Sequence, residues 1–449
     1  MTTPAAPLRP YPPLAVTGVG LVTPAGVGTG PSWEGVLAGR PAAAPDPELA
    51  ALPVGLSCRV PGYDPLRHLA GRGVWRHDRC TQLALTAARE AVADAGWAVP
   101  PGPTPAPAGS RPPRRRRPPG PGRPPGPGEP TGRAWDGARV GVVLGSAAGG
   151  VGRFEEQTAR LISRGPAAVS ATTLPGYLPN MAAGQLAIEL GVHGPVLHTA
   201  TACSSGATAV LLGAMLLQSH TCDVVLVGGA DAMVTPLCVA GFGRLGALSR
   251  NTDPATASRP FDRERDGFVI GEAAGLLVLE RQADALVRGA QVHALLVGHG
   301  TATDAYDPVA PHPGARGLAA ATAQALAAAG ARPGDVDHVN SHGTSTPTGD
   351  RAEALLLQRL YGPTAPSVTS AKGVLGHTMG AAGAVEAVLT ALSVEHGLAP
   401  PVAGLRRPGP EAAGLDLVTD GARRHRIRLA VSNSAGFGGH NTVLAFAQA

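Results

Sequence analysis

The chain has 449 residues, of which 44% are apolar and 15% charged, enough for two core-forming units and too apolar for a disordered chain. Its net charge of +5 does not mark a nucleic-acid partner, because Arg111, Arg114 to Arg117 and Arg123 supply the excess from one short segment. No apolar run reaches membrane-spanning length, no signal-like apolar core follows Met1, and cysteines at 58, 80, 203, 222 and 238 form neither a CxxC pair nor an even framework; a soluble cytoplasmic protein with no metal site is expected.

Residues 1–13 are rich in proline and read as a flexible arm. Leu14 to Thr23 reads as a strand entering a glycine turn, and its Gly-x-Gly lacks the third glycine and later acidic residue of a dinucleotide fingerprint. Trp33 to Leu37 begins a helix. Arg76 to Ala95 carries apolar residues at helical spacing and stops at Gly96, so a second helix is predicted there. From about 101 to 135, Pro, Gly and Arg replace core formers, and the segment reads as a disordered insertion that cannot offset its ordering entropy.

Ala138 to Gly145 is predicted as a strand, and Leu174 to Met181 as a loop leading to a short helix through Leu190. The apolar segment Gly194 to Thr199 then runs into Thr199-Ala-Thr-Ala-Cys-Ser-Ser-Gly206, followed by the apolar helix Ala207 to Leu217. Small residues around Cys203 permit a sharp strand-to-helix turn, and the unpaired N–H groups of the helix start favour thiolate over thiol. Cys222 to Asp231 is an almost wholly apolar strand, as in a sheet covered on both faces.

The second half echoes the first. Ala294 to Gly300 resembles Ala15 to Gly20, Val336 to His342 resembles Arg139 to Gly145, and Ser367 to Lys372 with the helix from Gly380 to Leu392 resembles the strand and helix around Cys203. Arg428 to Asn433 echoes Asp223 to Gly228. Two similar α/β units are therefore expected, 14–290 carrying Cys203 and 291–449 carrying the histidines. Of 37 basic residues, 36 are Arg and Lys372 is the single lysine. A compact ammonium retained at one place points to a tight polar site that a guanidinium cannot fill. His342 and His377 each stand at a predicted strand end beside a glycine turn, and Asn433 to Asn441 is a glycine-lined loop able to aim N–H groups at an oxyanion.

Thr201-Ala-Cys-Ser-Ser205, Ser258 to Phe268, His342-Gly-Thr-Ser-Thr-Pro347 and Lys372 to His377 resemble the motifs of the β-ketoacyl-(acyl-carrier-protein) synthases. The likeness is to the elongating type similar to synthase II, including type II polyketide ketosynthases, and runs from Val16 to Asn441, leaving out only the arm and the insertion. It implies a thiolase-like fold, an α/β protein with a duplicated five-layered α-β-α-β-α core. It implies that Cys203 is the nucleophile, that His342 and His377 hold the malonyl thioester and stabilise its enolate, and that Lys372 orders the polar network. Backbone N–H groups of Cys203 and Phe437 would form the oxyanion hole, Phe437 would gate the acyl pocket, and Thr344 and Thr346 would bind phosphopantetheine. The activity implied is decarboxylative Claisen condensation of an acyl group on Cys203 with malonyl-acyl-carrier protein, in fatty-acid or polyketide elongation. No cofactor is implied beyond the phosphopantetheine arm of the acyl carrier protein. The partners are that carrier and, in a homodimer or heterodimer, a second copy or a chain-length-factor-like subunit. The competing reading, a non-catalytic chain-length-determining subunit, conflicts with the presence of Cys203 and both histidines, and a hydrolase or simple acyltransferase using Cys203 is a third.

Overall fold

The predicted strand β1 (Leu14–Thr23) is buried along its whole length, and its glycines are there to admit a helix. A Cβ on Gly18 or Gly20 would lie 2.2 or 2.0 Å from the carbonyl oxygens of Ala91 and Ala87, on helix α1 (Arg79–Asp94). Asp78 caps that helix through the Cys80 N–H. The computed structural model describes residues 12–69, 74–98, 134–362 and 365–449, so the predicted arm and insertion lie almost wholly outside the described residues.

The first half continues with β2 (Val140–Gly145), β3 (Val196–Thr199), α2 (Ser205–Gln218), β4 (Val224–Ala232) and β5 (Glu272–Arg281). The second half comprises β6 (Ala294–Thr303), α3 (Arg316–Ala329), β7 (His338–Asn340), α4 (Pro347–Tyr361), β8 (Ser367–Thr369), α5 (Ala382–His396), the two-residue β9 (Asp416–Leu417), β10 (Leu429–Gly436) and β11 (His440–Ala447). Strand order in the first half is β3-β2-β4-β5-β1, and in the second β8-β7-β10-β11-β6, the same sequence of positions. Pairing sense matches as well: β2 runs parallel to β3 and β4 while β5 is antiparallel, and β7 runs parallel to β8 and β10 while β11 is antiparallel. The two halves meet where β1 and β6 pair antiparallel, with Ala15 opposite Leu295.

The repeat extends to helix packing. A Cβ on Gly298 or Gly300 of β6 would sit 2.1 Å from the carbonyl oxygens of Ala325 and Ala321 on α3, as β1 meets α1. Between the halves, α2 and α5 pack on one another so closely that a Cβ on Gly206 would lie 2.7 Å from Ala384 Cβ. Helix α5 is buried from Ala382 to Val394, which a helix apolar on every face requires. Outer α1, first-half sheet, central α2 and α5, second-half sheet and outer α3 make the five layers of the expected thiolase-like core. The antiparallel strands β5 and β11 and the helices α3 and α4 are additions to the elements predicted from sequence. Among the described residues no helix is long and apolar enough to cross a membrane.

Candidate active site

Cys203 sits in a turn of 3-10 helix that joins β3 to α2. The turn is held by short-range bonds: Ser205 Oγ donates to the Ala202 carbonyl at 2.6 Å, and Ser204 Oγ to that of Thr201 at 2.8 Å. Ala202 takes a φ of 50°, a left-handed conformation that strains any residue with a Cβ and that carries the chain sharply into the helix. The loop after β10 closes over this turn. It can do so only because residue 436 is glycine, since a Cβ there would lie 2.5 Å from the Thr201 carbonyl oxygen. The following Phe437 turns its backbone N–H to the Cys203 sulfur.

Both histidines arrive from the second half. His342 follows β7, and Glu353 on α4 clamps its loop by accepting the backbone N–H groups of His342 and Gly343 at 2.9 and 2.8 Å. Lys372 Nζ donates to the His342 carbonyl at 2.7 Å and lies 3.5 Å from its Nδ1. His377 is fixed by its backbone, donating to the Val269 carbonyl at 2.7 Å and accepting from Gly271 at 2.9 Å. Its Nδ1 accepts the Met379 N–H at 3.2 Å, and its Nε2 lies 3.1 Å from Cys203 Sγ. Lysine ammonium and peptide N–H only donate, so both Nδ1 atoms are acceptors and each neutral ring carries its proton on Nε2. The two rings meet edge to face with centroids 5.7 Å apart.

Lys372 is 2% exposed and pairs with the Glu386 carboxylate of α5. A buried ammonium requires such a counterion. Burial, and then the Lys372 charge, hold the imidazoles of His342 and His377 well below their usual range. Burial raises Glu386 to about 7 against the pull of Lys372. It also pushes the Cys203 thiol up to about 12, with Lys372 and the Phe437 N–H pulling the other way. At this thiol desolvation thus opposes the thiolate that the helix start alone favours.

Cys203, His342, His377, Thr344, Thr346 and Phe437 all line one cavity of about 370 Å³, and Lys372 stands behind His342. Thr344 and Thr346 hydroxyls lie 2.8 Å apart on its wall, with Thr346 also capping α4 through Gly349. Half-buried Phe437 packs on Phe242, which packs on Phe268, which in turn lies edge-on to His377. Glu353 and Glu386 were not singled out from sequence. Glu386 had a signal, being the one acid inside the apolar stretch of α5 in a chain with one lysine. The assembly presents a sulfur and two neutral N–H donors to one cavity, an arrangement suited to acyl transfer and to stabilising a developing enolate.

Residues 129–285 match the family described as Beta-ketoacyl synthase, N-terminal domain, and residues 293–406 match Beta-ketoacyl synthase, C-terminal domain. The chain belongs to the β-ketoacyl synthases. It is 37% identical over 437 residues to the 3-oxoacyl-(acyl-carrier-protein) synthase 2 of Staphylococcus aureus (strain COL), covering 96% of this synthase and 97% of that one. Among solved structures, the ishigamide ketosynthase/chain length factor is similar with a TM-score of 0.84 and 30% identity, covering 98% of this chain and 100% of that chain. A type II polyketide ketosynthase solved with its acyl-carrier protein and bound to the hexaketide has a TM-score of 0.83 and 26% identity over the same shares. The synthase is thus an acyltransferase of the elongating, synthase II-like class with the thiolase-like fold, and the non-catalytic reading is not favoured.

Proposed function

We propose that this synthase carries an acyl chain on Cys203 and extends it with malonyl-acyl-carrier protein, in fatty-acid or polyketide elongation. The observation that supports this most is the convergence of Cys203 from one half with His342 and His377 from the other, His377 Nε2 standing 3.1 Å from the sulfur. In the first step the sulfur attacks the acyl thioester. The oxyanion is held by the N–H groups of Cys203 and Phe437, the carrier's C–S bond breaks, and the departing sulfur takes the thiol proton. In the second step the malonyl carboxylate leaves as carbon dioxide, and its electron pair forms an enolate whose oxygen accepts the Nε2–H groups of His342 and His377. The enolate carbon attacks the acyl carbonyl, the bond to Cys203 breaks, and the sulfur recovers a proton from water.

Lys372 acts as a fixed cation that orders His342, Thr344 and Thr346 hold the phosphopantetheine arm, and Phe437 gates the acyl end. Residues 14–290 and 291–449 are the two halves, a division supported by the matched strand orders and by family matches that stop at 285 and restart at 293. Among the described residues β3 is the last strand on its side of the sheet, and it leaves Val196 and Leu197 38% and 40% exposed. Such an apolar edge supports a dimer built on this face, with a second copy or a chain-length-factor-like subunit. Mass spectrometry of the protein and carrier after turnover tests the reading: an acyl adduct on the Cys203 peptide and a β-ketoacyl carrier extended by two carbons are expected, with one carbon dioxide per extension. An adduct elsewhere, or carbon dioxide without extension, would overturn it. Native mass and product length with and without a candidate second subunit distinguish the two kinds of dimer.

A further inference from the structure

A carboxylate outside the cavity reaches from the nucleophile half into the histidine half. Asp231, at the end of β4, is wholly buried. Its Oδ1 accepts Ser146 Oγ at 2.5 Å, and its Oδ2 accepts the backbone N–H groups of Ala147 at 2.9 Å and Gly380 at 2.6 Å. Ser146 and Ala147 follow β2, so one side chain ties together the ends of two first-half strands and the turn of 3-10 helix Met379–Ala381 that opens α5. The backbones touch here because the side chains are missing. A Cβ on Gly380 would fall 2.4 Å from Ala147 N and 2.5 Å from Asp231 Oδ2, and one on Gly229 would meet the Gly380 carbonyl oxygen at 2.9 Å. Burial raises Asp231 to about 6 while the Ser146, Ala147, Ala148 and Gly380 donors draw it down by favouring the ionised acceptor.

The residue before Gly380 is the one that touches the site. Met379 has a φ of 53°, costly for a side chain with a Cβ, and this tight turn connects the gripped Gly380 to the peptide whose N–H meets His377 Nδ1 at 3.2 Å. We propose that Asp231 is a positioning residue: by gripping Gly380 it holds Met379 in its strained turn, and the Met379 N–H in turn keeps the His377 proton on Nε2, facing the sulfur. Without that grip the turn relaxes, Nδ1 loses its donor, and the ring is free to carry its proton on the wrong nitrogen. The inference rests on the assignment of His377 to enolate stabilisation only for its kinetic consequence; its structural part stands independently.

The experiment compares wild type with Asp231→Leu, which cannot accept, and Asp231→Asn. The asparagine oxygen can take the Ala147 and Gly380 N–H groups while its amide donates to Ser146 Oγ, so it is the conservative rescue. In 15N-histidine spectra of the wild type, His377 should show a protonated Nε2 and a bare Nδ1; Asp231→Leu should mix the tautomers and Asp231→Asn restore the single one. Carbon dioxide release from malonyl-acyl-carrier protein should fall about 100-fold in kcat for the leucine variant with KM little changed, the size of loss that a small misplacement produces, and should largely return with asparagine. A wild-type His377 protonated on Nδ1 overturns the proposal even if the leucine variant fails to fold. So does a leucine variant whose His377 proton stays on Nε2, whatever its rate. If the tautomer shifts as expected but wild type itself releases no carbon dioxide, the positioning stands and the assigned reaction is what fails.

Discussion

Strands β3 and β8 hold the same place in the two halves of the sheet, and each feeds a turn and then a central helix. After β3 the turn carries Cys203, which lines the cavity; after β8 it carries Lys372, sealed at 2% exposure against Glu386. The strands themselves differ in the same sense. Ser367, Val368 and Thr369 are buried beside β9, whereas Val196 and Leu197 stand open at the sheet edge. Duplication supplied one backbone twice, and the chemistry at each turn decided how it was finished. A nucleophile must be reached by its substrate, while a cation that orders neighbours by its field works only where water cannot screen it.

The largest break in this comparison is at the sulfur. Cys203→Ala should lose condensation by on the order of 10⁶-fold, as removal of a nucleophile does, and mass spectrometry should find no adduct on that peptide. Next come the rings. His342→Ala and His377→Ala should each cut carbon dioxide release about 10²- to 10³-fold, while Cys203 still acquires an acyl group in the absence of malonyl carrier. Acyl transfer lost to the same degree would mean that the histidines serve the first half of the reaction too. Because burial and Lys372 depress both imidazoles, their neutral forms persist as pH falls through 6.5. Neither ring should titrate between pH 8 and 6 in 15N spectra, and a midpoint near 6.5 would contradict the buried, cation-facing site.

The buried pair sharpens the contrast from the second-half side. Lys372→Met strands Glu386, and breaking such a pair costs about 3–5 kcal/mol; the lower end is expected because Glu386, already raised to about 7, can take up a proton. Thermal unfolding should show the loss. Lys372→Met with Glu386→Leu should regain stability without regaining carbon dioxide release, since the cation is what orders His342. Recovery of both would reduce Lys372 to a packing element.

Much of this contrast was legible in the residues. The parallel strands announced themselves as short apolar runs, and the single lysine, the two histidines beside glycines and the lone thiol between small residues marked the turns. The strands β5 and β11, like the helices α3 and α4, are not among the predicted elements. Glu272-Ala-Ala-Gly-Leu-Leu-Val-Leu-Glu280 is built from helix-favouring residues, and only its position between β1 and β4, buried on both faces, makes it a strand. Glu353 escaped for another reason: an acid on a helix reads as solvent-facing unless the strand end it must cap is already in view. A helix start is visible in sequence, whereas the desolvation that opposes its pull on the Cys203 thiol is not.

The seam between the halves gives the mildest test. His293, just before β6, is held by Asp94 at the end of α1 through Nε2 and by Glu395 near the end of α5 through Nδ1, both at 2.8 Å. Burial alone would lower its pKa, but the two carboxylates together outweigh burial and raise it to about 9. A base with a folded-state pKa above its unfolded value of 6.5 adds stability in full below 6.5, and that contribution fades as pH rises through 9. Asp94 and Glu395 are partly open to water, so the contribution is on the order of 2 kcal/mol. His293→Gln should therefore lower the unfolding temperature at pH 6 and approach wild type at pH 9.5, with turnover little affected because the residue joins the halves far from the cavity. An equal deficit at both pH values would assign His293 to packing, and would leave the β1–β6 pairing, not charge, as what holds the two halves in register.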